Sequence, residues 1–348
     1  MTDLSTSGIP AYADAVAGFD LAAEAARLHG DLERGVNACV ECCDRYAGTG
    51  ATALDYIDTE GRHQAFSFAQ MQALAARVAN LLASQGVRPG DIVAGLLPRT
   101  PEILATILGT WRAGAVYQPL FTAFGPKAIE HRLRMSQAKL VVTNTANRAK
   151  LDEIGHCPPV AVVLKPGESL RDGDIDFQDA LARQSEVFEP VLRKGTDLFM
   201  MMSTSGTTGL PKGVPVPLRA MLAFAAYMRQ AVDLRPGDRF WNIADPGWAY
   251  GLYYGITGPL LLGHGTTFFE GGFTVESTYD LIEKLGITSF AGAPTAYRML
   301  MAAGAQAAKR IKGRLRVVSS AGEPLNPEVI RWFDTAVGVP IHDHYGQT

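Results

Sequence analysis

The sequence has little of what would mark several large classes of protein. Only four cysteines occur in 348 residues, too few for the disulfide framework of a small secreted domain. No apolar run reaches the roughly 18 residues that a membrane span requires. The first residues, MTDLSTSGIPAYADAVAGFD, lack the basic start and apolar core of a signal peptide. No run of Lys or Arg is present and the net charge is −3, so nothing points to nucleic acid or to an anionic membrane. No internal repeat and no low-complexity segment appears. A soluble cytoplasmic protein is the expectation these absences leave.

Three of the cysteines, Cys39, Cys42 and Cys43, fall in NACVECCDRY. A zinc site would need a second Cys pair or a His pair nearby. Neither follows, so the cluster is expected to be a buried helix face in a reducing compartment. His342 and His344 are two apart and would share one face of a strand. No third ligand accompanies them, and no metal is expected there.

What is present is an ordinary globular composition, 47% hydrophobic and 19% charged, with 36 glycines and 20 prolines, in a chain long enough for two or more lobes. Short β-like runs alternate with helical patterns. FSFAQMQALAARVANLLASQG reads as a helix. Ser67 and Gln70 have capping-box spacing, Phe66 and Met71 that of a hydrophobic staple, and Gly86 ends it. TPEILATILGTWRAGAV reads as a second helix, with Thr100 at the N-cap, Pro101 at the first position, and Ile103, Ile107 and Trp111 on one face. DIVAGLLP, AKLVVTNT and PVAVVLKP show little alternation, as parallel strands covered on both sides do. The polar stretch GESLRDGDIDFQDALARQSEVFEP reads as a surface excursion. After Thr196 the rhythm restarts with DLFMMMST, RFWNIAD, GTTFFEG, ITSFAGAP, RVVSSAG and VPIHDHYG, and helices open at Thr274 and at Asn326-Pro327. This alternation predicts an α/β fold of mainly parallel, covered sheets. In such sheets the site lies beyond the carboxyl ends of the strands.

One stretch interrupts the rhythm: FMMMSTSGTTGLPKGVPV, Phe199 to Val216. Gly206, Gly209 and Gly213 allow the backbone to come close to a ligand. Ser203, Thr204, Ser205, Thr207 and Thr208 offer hydroxyls, exposed N–H groups would cradle an anion, and Lys212 adds a point charge. Together these describe a polyphosphate site. It is not a Walker A loop, because Pro211 and Lys212 stand where Gly and Lys belong and no Ser or Thr follows the Lys.

STSGTTGLPKG closely resembles the phosphate-loop signature of the adenylate-forming enzymes, which include acyl-CoA synthetases, luciferases and peptide-synthetase adenylation domains. ADPGWAYGLYYG resembles the acyl-pocket segment of acetyl- and medium-chain acyl-CoA synthetases. AGAPTAYRML, SSAGEPLNPE and HDHYGQT resemble their later segments, in the same order. The likeness runs from about Asn37 to Thr348. It implies the large N-terminal domain of that fold, divided into an N-terminal extension (1–36), a first α/β subdomain (37–195) and a second (196–348) carrying the phosphate loop and adenine site.

The implied reaction has two halves. A carboxylate attacks the α-phosphorus of ATP, and the thiol of coenzyme A then attacks the acyl carbonyl. The resemblance gives Thr204 and Lys212, with Ser203, Ser205, Gly206, Thr207, Thr208 and Gly209, to the β and γ phosphates, and Thr348 to the α-phosphate. Gly322, Glu323 and Pro324 would wall the adenine slot. Tyr345 would stack on the ring, Asp343 would accept from its amino group, and Gln347 belongs to the same motif. Trp248, Ala249, Tyr250 and Gly346 would line the acid pocket. The acetyl-specific branch typically has a bulky Trp where Gly346 stands, so the acid is expected to be larger than acetate. By position Arg132 would face coenzyme A, although a solvated helix arginine accounts for it as well.

The family motif continues with a Glu that holds Mg²⁺, then a ribose-binding Asp and a C-terminal lid with a Lys. The sequence stops at Thr348. The expectation is a fragment of a longer synthetase using ATP, Mg²⁺ and coenzyme A, with little activity by itself. The alternatives are a non-catalytic nucleotide-binding remnant and an adenylation domain that loads a carrier protein.

Overall fold

The structure is a computed structural model and describes residues 9, 11–204 and 210–346. Fourteen strands lie among the described residues. β1 (Thr52–Ile57), β2 (His63–Ser67) and β11 (Thr266–Phe269) form a three-stranded sheet in the order β11-β1-β2. The largest sheet uses β3 (Ile92–Leu96), β4 (Val116–Pro119), β5 (Leu140–Asn144), β6 (Val160–Val163), β7 (Ile175–Asp176), β8 (Leu198–Ser203) and β9 (Gly213–Pro217), in the order β7-β6-β5-β3-β4-β8-β9. All its pairings are parallel except β8 with β9. The third sheet is parallel throughout: β10 (Phe240–Asn242), β12 (Ser289–Gly292), β13 (Val317–Ala321) and β14 (Ile341–His344), in that order.

Both parallel sheets are covered on two faces, which is why their strands show no alternation in sequence. In the large sheet Val93, Leu140 and Val142 join the core that contains the helices Phe68–Ser84 and Pro101–Arg112. Their neighbours Ala94, Leu96, Val141 and Val162 pack with Ile129 and Leu133 of the helix Pro126–Ser136. In the four-stranded sheet Phe290, Val318 and Ile341 pack with Tyr279, Tyr297 and Phe333 of three helices. On its other face Phe240 and Ala291 meet Met228, at the end of the helix Ala220–Gln230, and Val232 and Leu234 just beyond it.

Local signals in the sequence operate as expected at several ends. Ser67 and Gln70 form the capping box, and buried Met71 follows it. Thr274 caps Val275–Leu285, and Asn326 caps Pro327–Ala336. Two expectations change. Thr100 occupies the N-cap of Pro101–Arg112, but its hydroxyl caps nothing and is buried without a partner. That helix is buried from Ile103 through Arg112 rather than along one stripe. Gly109 makes this possible, since a Cβ there would lie 2.4 Å from the Val78 Cβ of the neighbouring helix.

The hairpin β8–β9 and the pairing of β1 with β11 carry sheets across the division expected at 195/196. The polar excursion holds β7 and the short helix Phe177–Ala182, anchored by buried Phe177. Cys39, Cys42 and Cys43 are buried free thiols, the first two on the helix Ala38–Cys42 and the third at its C-cap. Among the described residues no group of three or more His, Cys, Asp or Glu is placed to hold a metal, and no helix is long and apolar enough to cross a membrane.

Candidate active site

Parallel strands release their next residues on one side. β10, β12, β13 and β14 therefore deliver four segments to the same edge: the turn before Trp248, Ala293-Pro294-Thr295, Gly322-Glu323-Pro324, and Tyr345-Gly346. These are the segments singled out by the sequence motifs. The Ser- and Gly-rich loop leaves β8, in the other parallel sheet, and returns as antiparallel β9.

The base of that loop is closed by two hydrogen bonds. The Thr204 N–H donates to the Lys212 carbonyl at 3.0 Å, and the Lys212 N–H donates to Thr204 Oγ1 at 3.0 Å. The hairpin thus uses the Thr204 side chain as part of its frame and leaves the Lys212 side chain exposed. His131 on the helix Pro126–Ser136 donates from Nε2 to the Pro211 carbonyl at 2.8 Å. The Ser203 hydroxyl, the last on β8, is buried with no hydrogen-bond partner. Ser205, Gly206, Thr207, Thr208 and Gly209 lie outside the described residues, as do Gln347 and Thr348.

On the four-stranded sheet, Ser320 pairs in register with Asp343 and Ala321 with His344. The turn at Gly322 and the exit at Tyr345 consequently leave adjacent strands side by side. Gly322 has φ +99°, a conformation side chains rarely adopt. Glu323 accepts hydrogen bonds from Thr295 Oγ1 at 3.0 Å and from Arg298 at 3.1 Å, which ties two of the delivered segments together. Pro324 and Asp343 are exposed, and Tyr345 is 92% exposed.

The segment after β10 is shaped by close approach. Asp245 accepts from the Gly247 N–H at 2.7 Å, and burial pushes its carboxyl group up from the usual range against the pull of Arg99. A Cβ on Gly247 would lie 2.5 Å from the Phe121 Cα, and one on Gly251 would lie 2.1 Å from the Asp245 carbonyl oxygen. Half-buried Trp248 then meets Phe121 and Phe124, with ring centroids at 5.6 and 5.4 Å. Ala249 and Tyr250 open a helical turn that passes into a π-helical one at Tyr253–Thr257, a feature often found at functional sites. A Cβ on Gly346 would meet nothing within 4 Å.

Arg132 is not a solvated helix arginine. It is 3% exposed, lies 4.0 Å above the Phe124 ring, and has its Nε unpartnered. Burial lowers its pKa, its Nη1 donates to the Ala128 carbonyl at 2.9 Å, and among the described residues no carboxylate pairs with it. Packing against an aromatic face satisfies a guanidinium in part, which periodicity on a polar helix cannot reveal.

Three participants, Phe121, Phe124 and Tyr227, carried no sequence signal. Phe121 and Phe124 reach Trp248 only through the fold. The Tyr227 hydroxyl is hydrogen-bonded to His344 Nδ1, and its ring lies 4.0 Å from that of Tyr254. Burial and the neighbouring His342 hold His344 down to about 4, so its ring is neutral. His342, Asp343 and His344 also border a cavity of about 680 Å³ between Tyr227 and the N-terminal helix carrying Tyr12 and Val16.

Comparison with known proteins places this geometry. Residues 42–348 match the family described as AMP-binding enzyme. The chain is 39% identical over 320 residues to an acetyl-coenzyme A synthetase of Bacillus subtilis, covering 90% of this chain and 56% of that protein. It is 33% identical over 342 residues to an acetyl-coenzyme A synthetase of Psychromonas ingrahamii, covering 90% and 53%. The chain therefore spans about half the length of these curated relatives. The crystal structure of an acyl-CoA synthetase from Brucella canis superposes with a TM-score of 0.94 at 66% identity, covering 97% of this chain and 62% of that one.

Proposed function

The chain belongs to the AMP-binding enzyme family, and from that premise we propose that it serves ATP-dependent activation of a carboxylic acid to acyl-AMP and then acyl-CoA. The observation that carries the reading is the delivery of the acyl, adenine-wall and adenine-exit segments to one edge of a parallel sheet. The phosphate hairpin beside them is the second support.

In this reading Lys212 and the loop amides and hydroxyls from Ser203 through Gly209 neutralise the β and γ phosphates. Such neutralisation and positioning supply most of the catalysis in phosphoryl transfer. The Thr204 hydroxyl already serves as hairpin frame, so its backbone position matters as much as its oxygen. The orphaned Ser203 hydroxyl is a donor in want of an acceptor, which a phosphate oxygen would be. Thr348 contacts the α-phosphate. Gly322, Glu323 and Pro324 wall the adenine, Tyr345 stacks on it, Asp343 accepts from its amino group, and Gln347 completes the motif. Mg²⁺, bound with the phosphates, would supply further neutralisation of their charge. Coenzyme A takes the acyl group in the second half-reaction, and the reaction belongs to the cytoplasm.

Trp248, Ala249, Tyr250 and Gly346 line the acid pocket. A glycine at 346, where the acetyl-specific branch typically has a bulky Trp, supports an acid larger than acetate. One methylene in an apolar pocket is worth about 1–3 kcal/mol, so the acid is distinguished by a graded series. The test is acid-dependent ATP–pyrophosphate exchange, in the longer synthetase expected to carry this chain, with straight-chain acids of increasing length, beside titration of the chain with ATP. We expect ATP binding that Lys212→Ala weakens, a preference for acids longer than acetate, and a shift toward acetate in Gly346→Trp. A protein that binds no adenine nucleotide would overturn the reading. A preference for acetate would overturn the pocket assignment alone.

A further inference from the structure

Tyr227 belongs to none of the motifs, yet two parts of the proposed site meet at its side chain, on the helix that follows the phosphate hairpin. We propose that Tyr227 is a positioning residue. Its hydrogen bond to His344 fixes where β14 releases Tyr345 and Gly346, and its ring sets that point against the acyl-segment helix. The inference rests on the proposed reading of these segments as adenine and acid sites.

β14 is an edge strand. Among the described residues it is hydrogen-bonded in the sheet only to β13, so its carboxyl end is held on one side by backbone pairing. Nothing in the strand itself fixes the other side. There the His344 ring reaches the helix Ala220–Gln230. The Tyr227 hydroxyl is hydrogen-bonded to Nδ1. The Ala231 carbonyl also faces the ring and favours a protonated nitrogen. The ring plane stands 86° to that of Tyr227, with centroids 5.1 Å apart. The residue after His344 is Tyr345.

The same phenol ring lies 4.0 Å from Tyr254, while Phe224, one turn earlier on the helix, stacks on Tyr253 at 4.5 Å and 22°. Tyr253 and Tyr254 open the π-helical turn that follows Ala249 and Tyr250. The helix carrying Tyr227 starts three residues after β9 ends, and β9 is the returning limb of the phosphate hairpin. One side chain therefore touches the strand before the adenine exit and the helix after the acid segment, on a helix continuous with the phosphate loop. The two nucleotide ends lie on different sheets, so sheet hydrogen bonding cannot set their separation. A side-chain bridge can.

Tyr227→Phe deletes the hydroxyl and keeps the ring contacts. The readouts are ATP affinity by calorimetry, the ring ¹⁵N signals of His344, and the melting temperature of the purified protein. We expect ATP binding to weaken about threefold to tenfold, the equivalent of one ordinary hydrogen bond. The His344 Nδ1 signal should move toward that of a ring free to exchange tautomers, with melting little changed. Should Tyr227→Phe fail to fold, His344→Leu removes the bond from the strand side and carries the affinity test. Unchanged ATP affinity in a protein whose native form binds ATP overturns the proposal. So does weakened binding with an unmoved His344 signal, which would assign Tyr227 to packing alone. Native protein that binds no ATP sinks the functional reading instead, and the inference with it.

Discussion

Gly251→Ala separates two physical arguments by sign. Gly251 lies in the helical turn Ala249–Leu252 that presents Ala249 and Tyr250. Helix propensity alone favours the alanine by about 1 kcal/mol. The structure opposes it. The new Cβ would lie 2.1 Å from the Asp245 carbonyl oxygen, 2.4 Å from its carbon and 2.8 Å from the Ala244 oxygen. All three obstacles are backbone, in a turn held by the Asp245–Gly247 hydrogen bond, so no side-chain rotation relieves them. Overpacking of this kind costs typically about 1–3 kcal/mol, and rigid obstacles place it at the upper end, about 3. The net is about 2 kcal/mol of destabilisation, a fall in melting temperature of roughly 3 °C for a chain of 348 residues. Relief requires the helix start to retreat by about an ångström, a displacement that can cost roughly a hundredfold in rate. Gly272→Ala is the control, because Gly272 is exposed and a Cβ there meets nothing within 4 Å. Differential scanning calorimetry and acid-dependent pyrophosphate exchange read the two effects. A Gly251→Ala protein that melts at or above the native temperature, as the control should, would refute the steric reasoning.

Arg316 bridges Asp233 at 2.7 Å and Asp238 at 3.0 Å, with all three side chains at least nine-tenths buried. Arg316→Met should cost about 3 kcal/mol, the low end for breaking a buried pair, because Arg235 still reaches Asp233. Adding Asp238→Asn should recover part of the lost melting temperature, and no recovery would argue against the charge mechanism. His344 titrates near 4 in the folded chain instead of 6.5, so protons bind the unfolded chain first. Its contribution to stability is whole above about pH 6.5 and is lost as the pH falls toward 4. Melting measured across that window should fall with pH, and His344→Asn should flatten the slope. Burial raises the Cys39 and Cys42 thiols well above their usual value, whereas Cys157 is only half-buried. A thiol-specific reagent should label Cys157 first in the native protein, with Cys39 and Cys42 reacting only on unfolding. Peptide mapping of the labelled sites decides it.

Much of the fold was legible because its signals are local. Caps at Ser67, Thr274 and Asn326 act within one helical turn, and strands covered on both faces read as unbroken apolar runs. β1 and β2 were not legible. β1 takes its place by pairing in parallel with β11, Leu54 opposite Thr266 through Ile57 opposite Phe269, and β2 by pairing antiparallel with β1, and the pairing of β1 with β11 spans a separation no short-range pattern reaches. The hairpin at β8–β9 was visible as a loop of glycines and hydroxyls, but not as an antiparallel turn that uses the Thr204 hydroxyl for its own closure. Arg132 looked solvated because its neighbours in sequence are polar, and the ring that covers it comes from Phe124 before the helix begins.

By itself the sequence determined which elements form and which segments leave them at the carboxyl ends of strands, since propensity, capping and hydrophobic patterning operate over a few residues. Only the tertiary structure decided that Glu323 ties to Thr295 and Arg298, that Phe121 and Phe124 enclose Trp248, and that Tyr227 meets both His344 and Tyr254. Those contacts depend on the order of strands and the angle at which helices cross them. Burial then sets how far a buried imidazole such as His344 resists a proton, and burial is a property of the assembled fold.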